Sequence, residues 1–372
     1  MELRDNLIFT YELAVADEFI AIDESDTGRL MSIQNAKPKV GFILGDPAGI
    51  GPEIVLKVLK RPKLYKQCQP VLIGNYDLLC SMADKIIPEL FLLRYSKNEL
   101  PEDKTAMFSH GMIPVIDVPA DLSKVTIGTV TGESGLISYH SIIQAFSLLE
   151  NKYIDGVIMA PINKEALSKS GCGYHSEYEL FADLAGVPEV QSVVKGGNIF
   201  RSSVIGHVPF REILERLSTE KIVKTTIGLN RVLLSFGFEK PKIAISALNP
   251  HGGEGGTIGV EEAVIIQPAI DQLRDMGVAV LGPYPADTIF NRAMKAEVDG
   301  VIHLYHDQGN IAMKTQMFES TAIIYTNLPY FVLSTGHGSA LDIADLGIAN
   351  PTNLTYVIST LAEMFQHKVQ KP

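Results

Sequence analysis

Three histidines fall in short turns at the ends of predicted strands: His207 in "IGHVP", His251 in "NPHGGEGG" and His306 in "LYHDQG". Three neutral imidazoles that leave one coordination position open suit a divalent transition ion acting as a Lewis acid. Separations of 44 and 55 residues are not a metal motif by themselves, so hydrogen-bonded structural histidines remain the alternative. The sequence therefore indicates a metal site only if tertiary structure brings the three turns together.

A lysine and two small polar donors form a second candidate group. Lys164 lies in "APINKEAL" after a predicted strand, and His175 and Ser176 follow in "GYHSEY". A lysine in a cleft can lose its proton near neutral pH and act as base, acid or anion anchor; a solvated lysine at a helix start is the alternative. Because no GxSxG elbow is present, His175 and Ser176 suit substrate binding better than nucleophilic attack.

Two glycine-rich turns complete the candidate site. "GDPAGIGPE", residues 45–53, follows a predicted strand and opens a helix, whose free N–H groups could hold an anionic or carbonyl ligand. "HGSALDIADLGIANPTN", residues 337–353, carries Asp342. A carboxylate there would accept both ribose hydroxyls of a dinucleotide and repel a 2′-phosphate, which favours NAD over NADP. Ordinary turn chemistry is the alternative for both loops.

The elements that must position these residues alternate between short β-branched runs and amphipathic stretches, a pattern typical of βαβ units around a mainly parallel sheet. Strands are predicted at 40–44, 70–73, 113–118, 156–160, 203–205, 242–247, 279–281, 300–305 and 322–325. Helix candidates include 52–59, 135–150, 219–236, 260–276 and 353–367. The candidate residues thus cluster at strand ends, where open α/β sheets build binding crevices.

Composition limits the class of protein. A length of 372 residues favours two domains, and three isolated cysteines support neither a disulfide framework nor a Cys-rich zinc site. The net charge of −11, without a basic run, argues against nucleic acid as a partner. The apolar runs are strand-length and the N-terminus lacks an export-signal pattern, so we expect no membrane association and a cytoplasmic location.

Five strings occur in order along the chain: "GDPAGIGPEI", "APINKEAL", "NPHGGEGG", "GPYPADTIF" and "YHDQG". From about residue 38 to 360 the sequence resembles the 4-hydroxythreonine-4-phosphate dehydrogenase (PdxA) family of pyridoxine (vitamin B6) biosynthesis. The loop at 337–351 also resembles the adenosine-binding loop of isopropylmalate dehydrogenases. The resemblance implies an α/β fold in which two α/β domains with mainly parallel sheets flank a central cleft. We expect an N-terminal extension at 1–37, a cofactor-side domain at 38–165 plus 300–372, and a metal and dimerisation domain at 166–299.

The same resemblance assigns roles to individual residues. It implies that His207, His251 and His306 bind a divalent ion, either zinc or magnesium, manganese or nickel, and that the active site is shared across a homodimer. Substrate contacts are implied for His175, Ser176 and Lys314. The resemblance matches Asp287 and Asp307 to acidic residues beside the metal. Lys164, argued above from its own chemistry, and Lys314 complete the catalytic candidates; which lysine is the general base, or whether an adjacent water takes the proton, stays open. The NAD-binding residues implied by the 337–351 loop are Gly338, Ser339, Ala340, Asp342 and Asn350.

Two substitutions bear on the substrate. The substrate-binding asparagine and arginine of the family fall at Ile323 and Val332 here. A lost guanidinium removes a charge-assisted contact worth about 1.5–3 kcal/mol, which predicts weak turnover of 4-phosphohydroxy-L-threonine. The expected reaction is NAD- and metal-dependent oxidation, with decarboxylation, of a phosphorylated hydroxy acid. Alternatives are 4-phosphoerythronate, 4-phosphothreonate or a carboxylated cis-dihydrodiol as substrate, a non-catalytic metal- or nucleotide-binding module, and a phosphate acetyl- or butyryltransferase.

Overall fold

The computed structural model describes residues 37–96, 99–108, 112–317 and 320–369 of the chain. These residues form two compact units. Unit 1 comprises the described residues up to Gly186 and those from Pro329 onward, and unit 2 runs from Val187 to Leu328. Of the extension expected at 1–37, residues 1–36 lie outside the described residues.

Unit 1 contains a six-stranded, wholly parallel sheet in the order β3-β4-β2-β1-β5-β12. Its strands are buried runs rich in Val, Ile and Leu, as expected for parallel strands covered on both faces. The strands are β1 Lys39–Ile43, β2 Gln69–Gly74, β3 Leu92–Tyr95, β4 Ile113–Asp117, β5 Gly156–Met159 and β12 Phe331–Thr335. The helices are α1 Gly51–Leu59, α2 Pro62–Gln67, α3 Tyr76–Ile86, α4 Gly132–Glu150, α5 Lys164–Lys169, α6 Glu177–Ala185 and α12 Thr352–Val369.

Unit 2 contains six strands in the order β11-β6-β7-β10-β8-β9. The pairs within β7-β10-β8-β9 are parallel, whereas β6 pairs antiparallel with both β7 and β11. The strands are β6 Gln191–Gly196, β7 Ile199–Ile205, β8 Ile243–Ser246, β9 Val280–Tyr284, β10 Gly300–Tyr305 and β11 Thr321–Thr326. The helices are α7 Glu212–Arg216, α8 Thr219–Ser235, α9 Gln267–Asp275, α10 Ala286–Met294 and α11 His306–Gln316.

The α/β class with mainly parallel sheets is therefore confirmed. The unit boundaries lie later in the chain than the 165/166 and 299/300 expected from the sequence. α6 packs against α4 and so belongs to unit 1, while β10 and β11 pair with strands of unit 2. Strands β3, β6 and β12 are absent from the sequence prediction, and His306, expected in a turn at a strand end, is the first residue of the helix α11.

Helix starts follow local side-chain chemistry. The Ser218 hydroxyl accepts a hydrogen bond from the Lys221 N–H at 3.3 Å and begins α8, and Asn75 accepts one from the Leu78 N–H at 2.9 Å to begin α3. Such caps satisfy N–H groups that have no partner within the helix. Within the described ranges, no helix has both the length and the apolar composition needed to cross a membrane.

Candidate active site

The three candidate metal-binding histidines lie on one edge of the unit 2 sheet. His207 follows β7, His251 follows β8, and His306 begins α11 directly after β10. Since β7, β10 and β8 are parallel neighbours, their carboxyl ends lie side by side. Sequence reasoning expected strand-end positions, and the topology places all three at adjacent strand ends.

The imidazoles of His207 and His306 are close, with ring centroids 4.8 Å apart. The Nδ1 atom of His306 lies 2.8 Å from Asp307 Oδ1, and the Nδ1 atom of His251 lies 2.9 Å from Glu254 Oε1. A carboxylate on one ring nitrogen typically orients the other nitrogen toward a metal. In the part of the chain that the structure describes, however, no three His, Cys, Asp or Glu side chains converge closely enough to hold an ion. The donor set suits a divalent ion, but one chain brings only two of the three imidazoles together.

The loop that carries His251 has an unusual backbone. Six consecutive residues, 251 to 256, have positive φ angles, including 55° at His251 and 45° at Glu254. Residues other than glycine rarely adopt this left-handed conformation, and strain of this kind concentrates at functional sites. A strained histidine of this kind requires support from the surrounding structure.

Glu262 provides that support. Its Oε1 accepts hydrogen bonds from the N–H groups of Leu248 and Asn249 at 2.9 and 2.7 Å, and its Oε2 accepts one from Asn249 Nδ2 at 2.9 Å. Burial raises the pKa of Glu262, but the hydrogen bonds outweigh that effect and the net pKa is lowered. Glu262 starts a single π-helical turn, a feature frequent at functional sites. Sequence reasoning missed Glu262, because an isolated glutamate on a predicted helix carries no signal.

The other candidates of unit 2 lie on the helices that follow β9 and β10. Asp287 lies in the first turn of α10 after β9, and Lys314 lies in the last turn of α11; both are exposed. Asp307 is exposed and contacts His306 alone among the candidates. Within the described ranges, no hydrogen bond or ion pair links Asp287 or Lys314 to the histidines.

In unit 1, Lys164 begins α5 and has a carboxylate partner. Its Nζ lies 3.7 Å from Glu177 Oε2, and the same ammonium lies 5.6 Å from the centre of the Tyr178 ring. Glu177 is buried at the start of α6. Lys164 is therefore held near the segment that carries His175 and Ser176.

His175 and Ser176 make contacts within unit 1 and still have polar atoms that could bind a substrate. The Nδ1 atom of His175 lies 3.1 Å from Ser168 Oγ, and the backbone N–H of His175 donates to Glu179 Oε2 at 3.0 Å. Ser176 caps α6, its Oγ accepting from the Glu179 N–H at 3.5 Å. A hydroxyl that accepts one hydrogen bond still has its hydrogen to donate. Both side chains thus retain a group for a substrate.

The candidate coenzyme loop lies beside the first glycine-rich turn in unit 1. The Ser339 carbonyl accepts from the Ile50 N–H at 2.9 Å, and a side chain at Gly49 would collide with Ser339. Ala340 is left-handed, with φ 41°. Of the five residues expected to bind NAD, Gly338, Asp342 and Asn350 are exposed, Ala340 is half-buried and Ser339 is buried. The Asn350 side chain also accepts from the Thr352 N–H at 3.0 Å, which leads into α12.

Glu53 and Lys57 hold the far end of that loop. Glu53 is 1% exposed, and its Oε1 accepts from the Ala349 N–H at 2.8 Å and from Lys57 Nζ at 2.7 Å. Lys57 Nζ also donates to the carbonyls of Gly347 and Ala349 at 2.8 and 2.7 Å. Residues of the glycine-rich turn and its helix therefore fix the loop, a role that sequence reasoning did not assign to them.

The turn also contains a buried acid. Asp46 is fully buried, and its Oδ1 accepts from the Ala48 N–H at 2.9 Å while its Oδ2 has no hydrogen-bond partner. Burial raises the pKa of Asp46, opposed by hydrogen bonds from Ala48 and Ser134.

The two substituted family positions differ from each other: Val332 is fully buried in β12 beside Val157, and Ile323 is half-buried in β11. Val332 therefore lines no open surface.

Known proteins match this chain over most of its length. The family profile described as "Pyridoxal phosphate biosynthetic protein PdxA" matches residues 66–361. A protein of Halalkalibacterium halodurans, provisionally named a D-threonate 4-phosphate dehydrogenase, is 33% identical over 336 residues, covering 90% of this chain and 99% of that protein. A similar relative in Symbiobacterium thermophilum, with the same provisional name, is 34% identical over 327 residues, or 87% of this chain and 96% of that protein.

Solved structures agree. The 4-hydroxythreonine-4-phosphate dehydrogenase of Klebsiella pneumoniae superposes with a TM-score of 0.77 at 31% identity, covering 89% of this chain and 100% of that one. A terephthalate 1,2-cis-dihydrodiol dehydrogenase of Burkholderia xenovorans superposes with a TM-score of 0.60 at 27% identity, covering 87% and 98%. The profile match over well over half of the chain, together with these relatives, shows that the protein belongs to the PdxA family and is an oxidoreductase of that family.

Proposed function

We propose that this protein is an NAD-dependent, divalent-metal-dependent dehydrogenase that oxidises a phosphorylated hydroxy acid, followed by loss of carbon dioxide. The observation that carries the proposal is the close approach of His207 and His306 at adjacent strand ends, with His306 in the "YHDQG" string that resembles the family. Membership in a family of dehydrogenases supports the reaction class.

Different residues have different roles in the proposed reaction. When bound, a divalent ion on His207, His251 and His306 supplies Lewis-acid polarisation of the substrate hydroxyl, and NAD supplies the hydride acceptor. The amine of Lys164 or of Lys314 takes the hydroxyl proton. Loss of the hydride and of the hydroxyl proton would turn the secondary alcohol into a ketone. A carboxylate β to that ketone would then leave as carbon dioxide, and the electron pair of the broken C–C bond would pass to the carbonyl as an enolate, which takes up a proton to give the product ketone.

Other residues orient the reactants. His175 and Ser176 donate hydrogen bonds to the substrate, and Asp342, exposed on its loop, accepts the two hydroxyls of the nicotinamide coenzyme's adenosine ribose. Asp307 holds the His306 ring through Nδ1. Asp287 contributes negative charge near the edge of the sheet that bears the histidines.

For the substrate, we favour 4-phosphothreonate over 4-phosphohydroxy-L-threonine. The curated relatives at 33–34% identity carry the D-threonate 4-phosphate name, and this chain has Ile323 and Val332 at two polar family positions. The alternatives remain 4-phosphoerythronate and a carboxylated cis-dihydrodiol; the dihydrodiol is favoured only by the neighbour at 27% identity.

The test measures NADH formation at 340 nm in the presence of NAD and a divalent ion. The value of kcat/KM is compared for 4-phosphothreonate, 4-phosphohydroxy-L-threonine, 4-phosphoerythronate and a carboxylated cis-dihydrodiol. We expect the highest value with 4-phosphothreonate, and loss of turnover in His207→Ala, His251→Ala and His306→Ala. Full activity after EDTA treatment contradicts the metal requirement. A tenfold preference for 4-phosphohydroxy-L-threonine contradicts the substrate assignment.

We also propose a homodimer that completes the site. Exposed apolar side chains of unit 2 lie on the segments that follow His207 and His251, and the 77%-exposed Phe210 packs edge-on against Tyr305, with ring centroids 5.7 Å apart. The exposed group is Phe210, Leu214, Ile258, Val260 and Val264. Exposed apolar patches of this kind mark protein interfaces.

Light scattering should report a dimer for the unmodified protein, and Phe210→Glu should shift it to monomer with reduced metal content. Phe91→Glu is the matched control, because Phe91 is an exposed aromatic residue of unit 1. A monomeric, fully active enzyme contradicts the shared site. A cytoplasmic location stays a prediction.

A further inference from the structure

A buried polar cluster lies beneath α11 in unit 2. Arg201 on β7 is 5% exposed and His303 on β10 is fully buried. Arg201 Nη1 lies 3.1 Å from His303 Nε2, and Arg201 Nη2 donates to Asn310 Oδ1 on α11. His303 Nδ1 lies 2.9 Å from the Tyr305 carbonyl, so Nδ1 carries the ring hydrogen and Nε2 accepts from Arg201.

The cluster has a positive charge without a counter-charge. Arg201 makes no ion pair with a carboxylate in the described part of the chain, and its Nε is buried without a hydrogen-bond partner. Burial lowers the pKa of Arg201 to about 10, which leaves the guanidinium charged at neutral pH. Burial, followed by the nearby guanidinium, lowers the pKa of His303 to about 3, so the imidazole is neutral. Buried charges are normally paired, so this arrangement calls for an anion.

The position of Arg201 connects it to the candidate site. Arg201 pairs with Val194 across β7 and β6, and Val194 pairs with Ile323 across β6 and β11. Directly opposed residues share a face of the sheet, so the three form one row. Val194 and Ile323 are half-buried, and the row therefore becomes more accessible away from Arg201.

The helix above this face carries two of the candidate residues. A side chain at Gly309 would collide with the His303 ring, which shows that α11 lies directly on the cluster. Asn310 lies four residues after His306 and four before Lys314, so the three share one side of α11. The guanidinium thus contacts the helical side that bears His306 and Lys314.

We propose that Arg201 is an anion-binding residue of this enzyme and that its ligand is the phosphate group of the substrate, with the unpartnered Nε–H as a donor to a phosphate oxygen. His303 and Asn310 are positioning residues that hold the guanidinium. The assignment of the ligand rests on the proposed function, since it identifies the phosphate as part of the substrate. Guanidinium is well suited to phosphate because it offers several donors in one plane.

The first experiment uses inorganic phosphate as the probe and thermal unfolding as the readout, at constant ionic strength and without coenzyme or metal. We expect phosphate to raise the Tm of the unmodified protein by about 2–4 °C. Arg201→Met should abolish the shift. Arg231→Met is the matched control, because Arg231 is an exposed arginine of unit 2 and its loss should leave the shift intact. An equal shift in Arg201→Met overturns the proposal.

Arg201→Lys covers the case in which the methionine variant does not fold. Lysine keeps the charge but lacks the planar fork, so phosphate affinity by calorimetry should fall about tenfold. Unchanged affinity overturns the proposal.

A kinetic arm separates substrate phosphate from free phosphate. Inorganic phosphate should inhibit competitively against the phosphorylated acid, and Arg201→Lys should raise KM for that acid far more than it lowers kcat. If Arg201→Lys is active with an unchanged KM for the phosphorylated acid, the proposed role of Arg201 is contradicted, while the proposed function of the enzyme is not. An Arg201-dependent phosphate shift without NADH formation on any acid contradicts the proposed function alone.

Discussion

Glu53 accepts a hydrogen bond from the Ala349 N–H at 2.8 Å, although 296 residues separate the two in the sequence. The same carboxylate pairs with Lys57, whose ammonium binds two carbonyls of the 347–349 segment. The glycine-rich turn at 45–53 therefore shapes the loop that bears Asp342. The two motifs act as one structural element of unit 1.

Breaking this element should affect coenzyme binding more than chemistry. Lys57→Met removes an ion pair and two hydrogen bonds to carbonyls, which should lower stability by about 1–2 kcal/mol. We expect KM for NAD to rise several-fold while kcat changes little, because the loop rather than the reacting groups is disturbed. Lys63→Met, an exposed lysine of α2, is the control. An unchanged KM for NAD in Lys57→Met would show that the loop holds its shape without this contact.

Glu262 should control the His251 loop. Glu262→Gln keeps the size of the side chain but removes the negative charge of the carboxylate that accepts hydrogen bonds from the backbone N–H groups of Leu248 and Asn249. Loss of a group that orients a metal ligand typically lowers metal affinity 10–100-fold, so the Kd for the divalent ion should rise by about that factor. Glu220→Gln, an exposed glutamate of α8, should leave it unchanged. Wild-type metal affinity in Glu262→Gln is the result that would refute this role.

Coenzyme choice should depend on Asp342. Its exposed carboxylate suits the ribose hydroxyls of NAD and repels a 2′-phosphate, so NAD should be preferred. Asp342→Ser should weaken NAD binding and narrow the kcat/KM ratio between NAD and NADP about tenfold or more. Equal kcat/KM with both coenzymes in the unmodified enzyme would show that the carboxylate points elsewhere.

The buried His303 predicts an acid-sensitive fold. Burial first, then Arg201 and His306, lowers its pKa to about 3, opposed by the Tyr305 carbonyl, whereas an unfolded histidine titrates near 6.5. Between these pH values the unfolded chain binds a proton that the folded chain does not. The stability contributed by neutral His303 is therefore fully present above pH 6.5 and is lost as pH falls toward 3.

Urea unfolding at pH 7, 6 and 5 measures this effect. Below pH 6.5, the protonation of His303 in the unfolded chain should lower the free energy of unfolding by up to about 1.4 kcal/mol per pH unit. In His303→Gln this part of the pH dependence should be absent. His140→Gln, at an exposed histidine of α4, should retain it. An identical pH slope in His303→Gln and the unmodified protein would rule out the buried imidazole as the source.

Local sequence patterns were enough to predict the α/β class and the strand-end positions of the histidine and lysine motifs. Both depend on local patterns: apolar runs of strand length followed by glycine-rich turns signal buried parallel strands and the edge where ligands bind. His207 and His306 could therefore be assigned to strand ends before any coordinates. Their approach to 4.8 Å required the strand order, because only adjacent strands bring separate turns together.

Features that depend on partners far apart in the chain could not be predicted before the fold was known. The antiparallel placement of β6 puts Val194 between Arg201 and Ile323, and neither the strand nor the row was visible from composition. Glu53 and Glu262 read as ordinary helical acids until the fold supplied the backbone N–H groups that they bind. A buried charged side chain is defined by what surrounds it, and the order in which strands and helices pack, rather than any local pattern, sets those surroundings.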